Sequence, residues 1–170
     1  MKVVDGSEFE VTYPYLLSLP TEPTELLARV YKQIDAEEAS RNADTMRRQE
    51  EMAKKRGKSA EDARREAEAA TPRLTAEERN TFAFQYIAQG MRDAVLPLKL
   101  RAAMYGAMAK IPGVRYEPRS TDLAKRSGVT LYRLHAGYLR DEIFINPKTY
   151  AYMGYRTLAV RSHRGATRSP

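Results

Sequence analysis

Apolar residues recur every three or four positions early in the chain, the spacing of a helix that buries one face. Val30 and Ile34 follow this spacing. Thr21 stands between two prolines and is a suitable N-cap for a helix that starts near Glu22. We therefore predict that residues 13–34 form a loop followed by a core helix.

A second region with helical spacing lies within residues 75–111. Thr75 and Glu78 have the spacing of a capping box at a helix start. The apolar stripe that follows is predicted to contain Phe84, Ile87, Met91 and Val95. Pro97 ends this helix, and a further helix is predicted over residues 98–111, where small side chains allow close packing.

From Val114 the apolar period changes to two residues, which is typical of strands with one buried face. The predicted strands are 114–118, 128–135, 138–145 and 151–161. The last three are joined by short connections, which favour antiparallel neighbours. Strict alternation places Tyr152 and Arg156 on one face of the last strand and Tyr155 on the other.

These periods predict an α+β fold in which three core helices pack on one face of a curved, four-stranded antiparallel meander. The core helices come from residues 13–34 and 75–111, and the sheet comes from residues 114–161. We predict one domain over residues 1–170 that ends in a basic tail at 162–170.

Residues 35–74 differ in composition from the segments on either side. Alanine, glutamate and arginine dominate, and Met46, Met52 and Leu74 are the only large apolar side chains. The propensity is helical, but no apolar stripe is present, so we predict a charged helical insertion that adds little to the core. Three interpretations stay open: a solvated helix, an arm held by a partner, and a disordered segment. If the segment is an arm held by a partner, a homodimer through residues 35–74 is the form that we expect.

Composition and charge narrow the class of protein. Apolar residues make up 42% of the chain, as expected for a globular domain. The absence of cysteine excludes disulfides, thiolate metal sites and a cysteine nucleophile. The net charge is +7, and residues 115–170 carry 11 basic and 4 acidic side chains. We attribute this excess mainly to solubility, with attraction to phosphate or to an acidic partner as the alternative.

The sequence predicts no membrane span in this chain. It contains no run of about 18 apolar residues, and its first residues lack the apolar core of a secretory signal. The chain as written is therefore expected to be cytoplasmic, and to be extracytoplasmic if it is a fragment of a membrane-anchored protein.

Four segments, YPYLLSLPTEPTELLARVY, LRAAMYGAMAKIPGV, RSGVTLYRL and DEIFINPKTYAYMGYRTLAV, resemble the C-terminal half of an uncharacterised actinobacterial family. Its members are typically membrane-anchored, with an extracytoplasmic domain, and are often encoded beside extracytoplasmic-function sigma factors. The resemblance covers residues 13–34 and 82–161, and the family's Asp-Pro-x-Thr turn corresponds to Asn146–Thr149. The family's membrane anchor and the first half of its outer domain have no counterpart here, so the resemblance implies a stand-alone or shortened relative.

Motifs that carry known chemistry are absent. His135 and His163 have no carboxylate or histidine at metal-ligand spacing, so no metal site is predicted. Asp141 and Glu142 are adjacent on a strand and are expected on opposite faces, which argues against a paired acid and base. Glycine-rich nucleotide motifs and a nucleophile elbow are missing. We predict no cofactor, assign no catalytic residue and leave open whether the chain is an enzyme.

One candidate ligand site lies between the 98–111 helix and the sheet. Its predicted residues are Tyr105, Met104 and Met108 on the helix and Arg133, Arg140, Glu142 and Arg156 on the strands. The methionines would give an adaptable apolar lining, and a buried tyrosine hydroxyl paired with an arginine would orient a ligand. Ordinary amphipathic packing is the alternative for all three helix residues.

Three functions are compatible with the sequence. The first is a non-catalytic protein-interaction or regulatory module, which meets another protein through its sheet or its helical insertion. The second is a carrier of a small apolar molecule, or an unusual biosynthetic enzyme, with a pocket between helices and sheet. The third and least favoured is a nucleic-acid binder, which rests on positive charge and on strands that combine tyrosine with arginine.

Overall fold

Within the described part of the chain, five helices come before four strands. The structure, a computed structural model, describes residues 12–93 and 95–160. The helices are α1 (Tyr13–Leu17), α2 (Pro23–Lys55), α3 (Ala60–Ala70), α4 (Ala76–Asp93) and α5 (Leu98–Lys110). The strands are β1 (Val114–Thr121), β2 (Ser127–His135), β3 (Leu139–Ile145) and β4 (Tyr152–Ala159). The predicted basic tail at 162–170 and His163 lie outside the described residues.

The first core helix differs from its prediction at both ends. Glu22, not Thr21, is the N-cap of α2, and its carboxylate accepts a hydrogen bond from the Glu25 backbone N–H at 2.7 Å. Pro23 occupies the first turn, where its missing N–H costs nothing. The helix does not stop near Ile34 but runs for 33 residues without interruption. The segment predicted as a loop also contains a short helix, α1, which buries Leu16.

The predicted insertion is a helical hairpin in which α3 folds back on the second half of α2. Gly57, with φ of 82°, ends α2 in a left-handed conformation. The Lys58 N–H donates to the Ala53 carbonyl and the Gly57 N–H donates to the Lys54 carbonyl, which is the Schellman pattern. Ser59 then caps α3 by accepting from the Asp62 N–H at 3.1 Å. The two helices are therefore joined by well-defined cap chemistry.

Alanines form the interface between the two helices of this hairpin, which we name the helical arm (residues 39–72). Ala53, Ala63 and Ala67 are 0–1% exposed, because small side chains let the two helices approach closely. The buried core cluster of the described residues contains none of them. At the base of the arm, the Leu74 N–H donates to a Glu38 carboxylate oxygen at 2.7 Å. The two ends of the arm are therefore close together in space.

The helices α4 and α5 lie against the sheet, and α2 lies across them. The capping box predicted for α4 is present, because the Glu78 N–H donates to Thr75 Oγ1 and the Thr75 N–H donates to the Glu78 carboxylate. Val95, predicted to be part of the buried stripe, is 92% exposed. It lies beyond the end of α4, so helical spacing no longer sets its direction, and the neighbouring Leu96 is buried instead.

Small residues set the spacing between helices, as predicted for α5. A Cβ added at Gly106 of α5 would lie 2.7 Å from Pro23 Cγ of α2, closer than real packing allows. A Cβ added at Gly90 of α4 would lie 2.7 Å from Leu16 Cδ2. The helices therefore pack more closely than larger residues at these positions would permit. Among the described residues, no helix is both long enough and apolar enough to cross a bilayer.

The strands form an open antiparallel meander in the order β1-β2-β3-β4, as predicted. Ile143 and Ile145 of β3 face the helices and join the core, while Arg140, Glu142 and Phe144 alternate with them on the outer face. The fold is therefore α+β, with the helices on one face of the sheet.

Strict alternation fails in β4. The register shifts where Ile145 pairs with Tyr152 and Phe144 pairs with Gly154, which leaves one extra residue, Met153, on β4. As a result Tyr152 and Tyr155 both pack against the core. The prediction that Tyr152 shares a face with Arg156 was wrong because an extra residue inverts the alternation.

Candidate functional site

The three predicted site residues of α5 belong to the core. Met104 and Met108 are 0% exposed and lie within the buried cluster, so packing accounts for both. Tyr105 is 7% exposed, and its hydroxyl has no hydrogen-bond partner among the described residues. Burial raises the pKa of Tyr105 to about 12. The predicted bond between its hydroxyl and a strand arginine is not formed.

Three of the predicted strand residues lie on the outer face of the sheet, away from α5. Arg140 contacts both Glu117 and Glu142, and Arg156 contacts the other oxygen of Glu142. Each guanidinium also covers an aromatic ring, that of Tyr132 or of Phe144. This corrects the prediction that Arg140, Glu142 and Arg156 face Tyr105. Their side chains leave the strands on the opposite face, where they form a neutral ion-pair network.

Arg133, the remaining predicted strand residue, is part of a different site. It lies on the helix-facing side of β2 and is 5% exposed. Its Nη1 donates to Thr81 Oγ1 of α4 at 2.6 Å, and its Nε donates to the Pro112 carbonyl at 3.3 Å. Burial lowers the pKa of the guanidinium, while the charges of Glu77, Tyr31 and Asp141 oppose that effect.

Asp141 is the centre of the buried polar groups around Arg133. It is directly opposite Arg133 on the neighbouring strand and is 1% exposed. Its carboxylate accepts from Gln85 Nε2 of α4 at 2.9 Å and from Thr157 Oγ1 of β4 at 2.6 Å. One helix and one strand therefore supply donors to this carboxylate, as buried charge requires. We name this set the Asp141 cluster: Thr81, Gln85, Arg133, His135, Asp141 and Thr157.

His135 completes the cluster. Its Nε2 lies 3.0 Å from Asp141 Oδ2, which is ion-pair distance. The same nitrogen makes no hydrogen bond of good geometry among the described residues, so the two groups are in contact without an aligned N–H···O bond. The prediction concerned metal-ligand spacing along the sequence, and this contact across the hairpin lies outside it. The β2–β3 hairpin brings the two together, although they are six residues apart in the sequence.

A pocket of about 450 Å³ opens above the Asp141 cluster. The first turns of α4 supply one wall with Glu77, Thr81, Phe82 and Gln85, and His135 and Ala136 at the β2–β3 turn supply the other. Three cluster residues, Thr81, Gln85 and His135, thus form the pocket floor. The volume lies within the range of small-molecule sites. We call this the α4 pocket.

Glu77 gives the α4 pocket its charge. Glu78 also lies on the lip, but its carboxylate is held by the Thr75 N–H and hydroxyl in the capping box. The charge of the Glu77 carboxylate acts on the buried Arg133, but no described basic side chain forms a close ion pair with it. An available carboxylate beside the ring of Phe82 is a suitable environment for a ligand that carries a positive charge on an apolar body.

The sequence contains one signal for this cluster. Asp141 interrupts the apolar alternation of β3, and Arg133 interrupts that of β2 on the same face. Charged residues at predicted core positions are expected to find partners there. The pairing register was needed to show that these two face each other.

No group of three or more histidine, aspartate and glutamate side chains that could hold a metal ion occurs within 12–93 and 95–160. No family model, curated protein or solved structure matches the chain.

Proposed function

We propose that this chain is a non-catalytic ligand-binding module, and that the α4 pocket takes a small molecule with a basic group on an apolar body. The observation that carries the proposal is the polar floor of the pocket, in which Gln85 donates to the buried Asp141 and Thr81 accepts from the buried Arg133. These hydrogen bonds keep Gln85 and Thr81 in fixed positions before a ligand arrives. Preorganised polar groups reduce the entropy cost of binding.

The charge of the site favours a cation. The carboxylates of Glu77 at the lip and of Asp141 beneath the floor carry two negative charges, and both act on the single positive charge of the buried Arg133. A ligand amine would pair with Glu77 and its apolar part would cover the Phe82 ring. This arrangement differs from the apolar carrier pocket predicted beside Tyr105, whose neighbours on α5 are fully buried.

The test compares two ligands of the same shape and opposite charge, 2-phenylethylamine and 3-phenylpropanoate. We expect the amine to bind and to shift the NMR signals of the His135 ring, and the carboxylate to leave them unchanged. Glu77→Gln is expected to weaken amine binding about tenfold, the loss of one partly desolvated charge pair. Binding of the carboxylate in preference to the amine, or no shift with either, contradicts the proposal.

Glu61→Gln is the matched control. Glu61 lies in the first turn of α3 just as Glu77 lies in the first turn of α4, so both substitutions change the helix dipole interaction in the same way. Its side chain is 87% exposed and is not part of the α4 pocket. The control variant is expected to bind the amine as the unchanged protein does.

The relationship to the actinobacterial extracytoplasmic family stays a proposal. It is supported by the places where the resembling segments lie: the start of α2, the end of α5, the start of β2 and the turn between β3 and β4. A location outside the cytoplasm follows from that relationship. The genes on either side of this one provide the test, since a neighbouring sigma factor supports the relationship and a regulatory role, and a biosynthetic cluster supports a small-molecule role.

A homodimer through residues 35–74 also stays a proposal. The alanine face of the second half of α2 is already covered by α3 of the same chain. A dimer would therefore use the exposed charged faces of the arm or an exchange of α3 between two chains. Sedimentation equilibrium of the chain with and without the arm decides between monomer and dimer.

A further inference from the structure

A second cavity continues the α4 pocket along the same helix. It has a volume of about 160 Å³ and is lined by Gln85, Ala88, Gln89 and Arg92 of α4 and by Tyr155 of β4. Gln85 also lines the α4 pocket, so its side chain lies where the two cavities meet. We name the second cavity the Gln89 pocket.

Helical spacing places the two cavities in line. Phe82, Gln85 and Gln89 are three and four positions apart, so their side chains lie in a row on one face of α4. A rise of about 1.5 Å per residue puts Gln89 about 10 Å beyond Phe82 along the helix axis. Together the two cavities therefore form a groove whose shape suits an elongated ligand.

The Gln85 side chain presents an amide oxygen to this groove. Its Nε2 donates to the buried Asp141 at 2.9 Å, which turns the amide oxygen away from that carboxylate. The oxygen accepts no hydrogen bond from a described residue and is not enclosed by protein. It is therefore an acceptor held in position for an N–H group of a ligand.

Gln89 supplies a second amide one turn further along α4. Its side chain is half-buried and makes no hydrogen bond with the residues that the structure describes. A glutamine amide carries two N–H donors and an acceptor oxygen, the same groups that a peptide bond can pair with. Successive peptide groups of a ligand would satisfy Gln85 and Gln89, whereas a hydrocarbon chain would leave both without partners.

Charge gives the ligand its direction in the groove. The carboxylate of Glu77 lies at the α4 pocket, whereas no carboxylate of the described residues lines the Gln89 pocket and Arg92 does. Burial also raises the pKa of the Tyr155 hydroxyl, so the wall on the sheet side stays neutral. A cationic group is therefore favoured at the Glu77 end, and uncharged polar groups are favoured beside Gln89.

We propose that the ligand of the α4 pocket is a short peptide, bound by its N-terminal end and with an aromatic first residue. The α-amine pairs with Glu77, the aromatic side chain covers Phe82, the first peptide group bonds to Gln85 and the next bonds to Gln89. About three extended residues, at about 3.3 Å each, span the distance from Phe82 to Gln89. This ligand class rests on the proposed function, because it occupies the same pocket, and adds to it a chemical class and a second cavity.

The test measures the binding of three amines by isothermal titration calorimetry: phenylalaninamide, Phe-Gly-Gly-amide and 2-amino-1-phenyldecane. All three have the amine and the phenyl ring, and the last two have extensions of equal length, with and without peptide groups. We expect the tripeptide amide to bind about fivefold more tightly than either of the others, the gain from one further hydrogen bond. It is also expected to shift the NMR signals of the Gln89 side-chain amide, which phenylalaninamide leaves unchanged.

Gln89→Leu and Gln49→Leu form a matched pair of variants. Both glutamines are half-buried within helices and make no hydrogen bond with a described residue, but Gln49 lies on the helical arm and lines neither pocket. Gln89→Leu is expected to lower the affinity for the tripeptide amide to that for phenylalaninamide. Gln49→Leu is expected to leave the affinity for the tripeptide amide unchanged.

Three results would overturn the peptide proposal while 2-phenylethylamine still binds and shifts the His135 signals. The first is equal binding of phenylalaninamide and the tripeptide amide, and the second is equal binding of the hydrocarbon and the tripeptide amide. The third is a gain in affinity that survives Gln89→Leu. If 2-phenylethylamine and all three amines fail to bind, the proposed function is itself wrong, and the peptide proposal is wrong with it.

Discussion

Asp141 and Glu142 are neighbours on β3, and their carboxylates lie on opposite faces of the sheet. Asp141 lies between sheet and helices, where Gln85 and Thr157 donate to it. Glu142 lies on the outer face, in contact with two arginines. Each is 1% exposed. Two adjacent acidic residues thus have separate sets of partners, and neither set includes the other carboxylate.

Replacing Asp141 with asparagine is expected to lower the free energy of unfolding by about 2 kcal/mol, the cost of leaving buried donors without a full set of acceptors. The new amide group would face the donors of Gln85 and Thr157. Urea unfolding at neutral pH measures the change. Asp44→Asn is the control, since the Asp44 side chain is 56% exposed and pairs with Arg47 only at 3.5 Å. A loss as small as that of the control would show that the cluster contributes no stability.

Tyr105→Phe is expected to change the free energy of unfolding by less than about 0.5 kcal/mol, because the hydroxyl that it removes has no partner among the described residues. Tyr31→Phe is the matched control. The Tyr31 hydroxyl donates to Asn80 Oδ1 at 2.6 Å, and its loss is expected to cost about 1 kcal/mol. A Tyr105 variant that is destabilised as much as the control would indicate an unseen partner for the buried hydroxyl.

Alkaline stability provides a second measurement on Tyr105. Burial raises its pKa from 10.0 to about 12, so between these values the unfolded chain releases a proton that the folded chain keeps. The stabilisation from the buried neutral phenol is present below pH 10 and is lost as the pH rises toward 12. Unfolding between pH 9 and 12 should show a shallower decline for Tyr105→Phe than for the unchanged protein. Equal slopes would contradict the raised pKa.

Gly57→Ala is expected to destabilise the helical arm by about 1 kcal/mol, because φ of 82° is unfavourable for a residue with a Cβ. Amide exchange of Lys58, whose N–H closes the Schellman motif, reports the loss locally. Gly154→Ala is the control: a Cβ there also meets no atom within 4 Å, but the backbone does not have positive φ. If the Lys58 amide exchanges at the same rate in both variants, the left-handed backbone conformation is not the reason for glycine at position 57.

Replacing the helical arm, residues 39–72, with a four-residue glycine–serine linker is expected to change the unfolding free energy of the remaining domain by at most about 1 kcal/mol. The linker can span the gap, because the Leu74 N–H already contacts the Glu38 carboxylate. Guanidinium-induced unfolding, monitored by tyrosine fluorescence, measures the unfolding free energy of the remaining domain. Failure of the shortened chain to fold would mean that the arm packs against its own domain or against a second subunit.

The sequence by itself determined the elements that depend on local chemistry. The capping box of Thr75 and Glu78 starts α4 as predicted, and the change of period at Val114 marks the first strand. Short connections determined the antiparallel order of the sheet. Each of these features depends on residues within a few positions of one another, so helical or strand spacing is enough to predict it.

The tertiary structure alone decided which residues meet across the fold. The continuation of α2 to Lys55 follows from alanines of α3 that cover it, and an alanine face gives no strong periodic signal. One extra residue at Met153 inverted the faces of β4. The Asp141 cluster needed the pairing register of three strands and the position of α4 at once. Contacts between distant segments depend on the sum of all packing energies, and spacing along the chain contains only the local part of that sum.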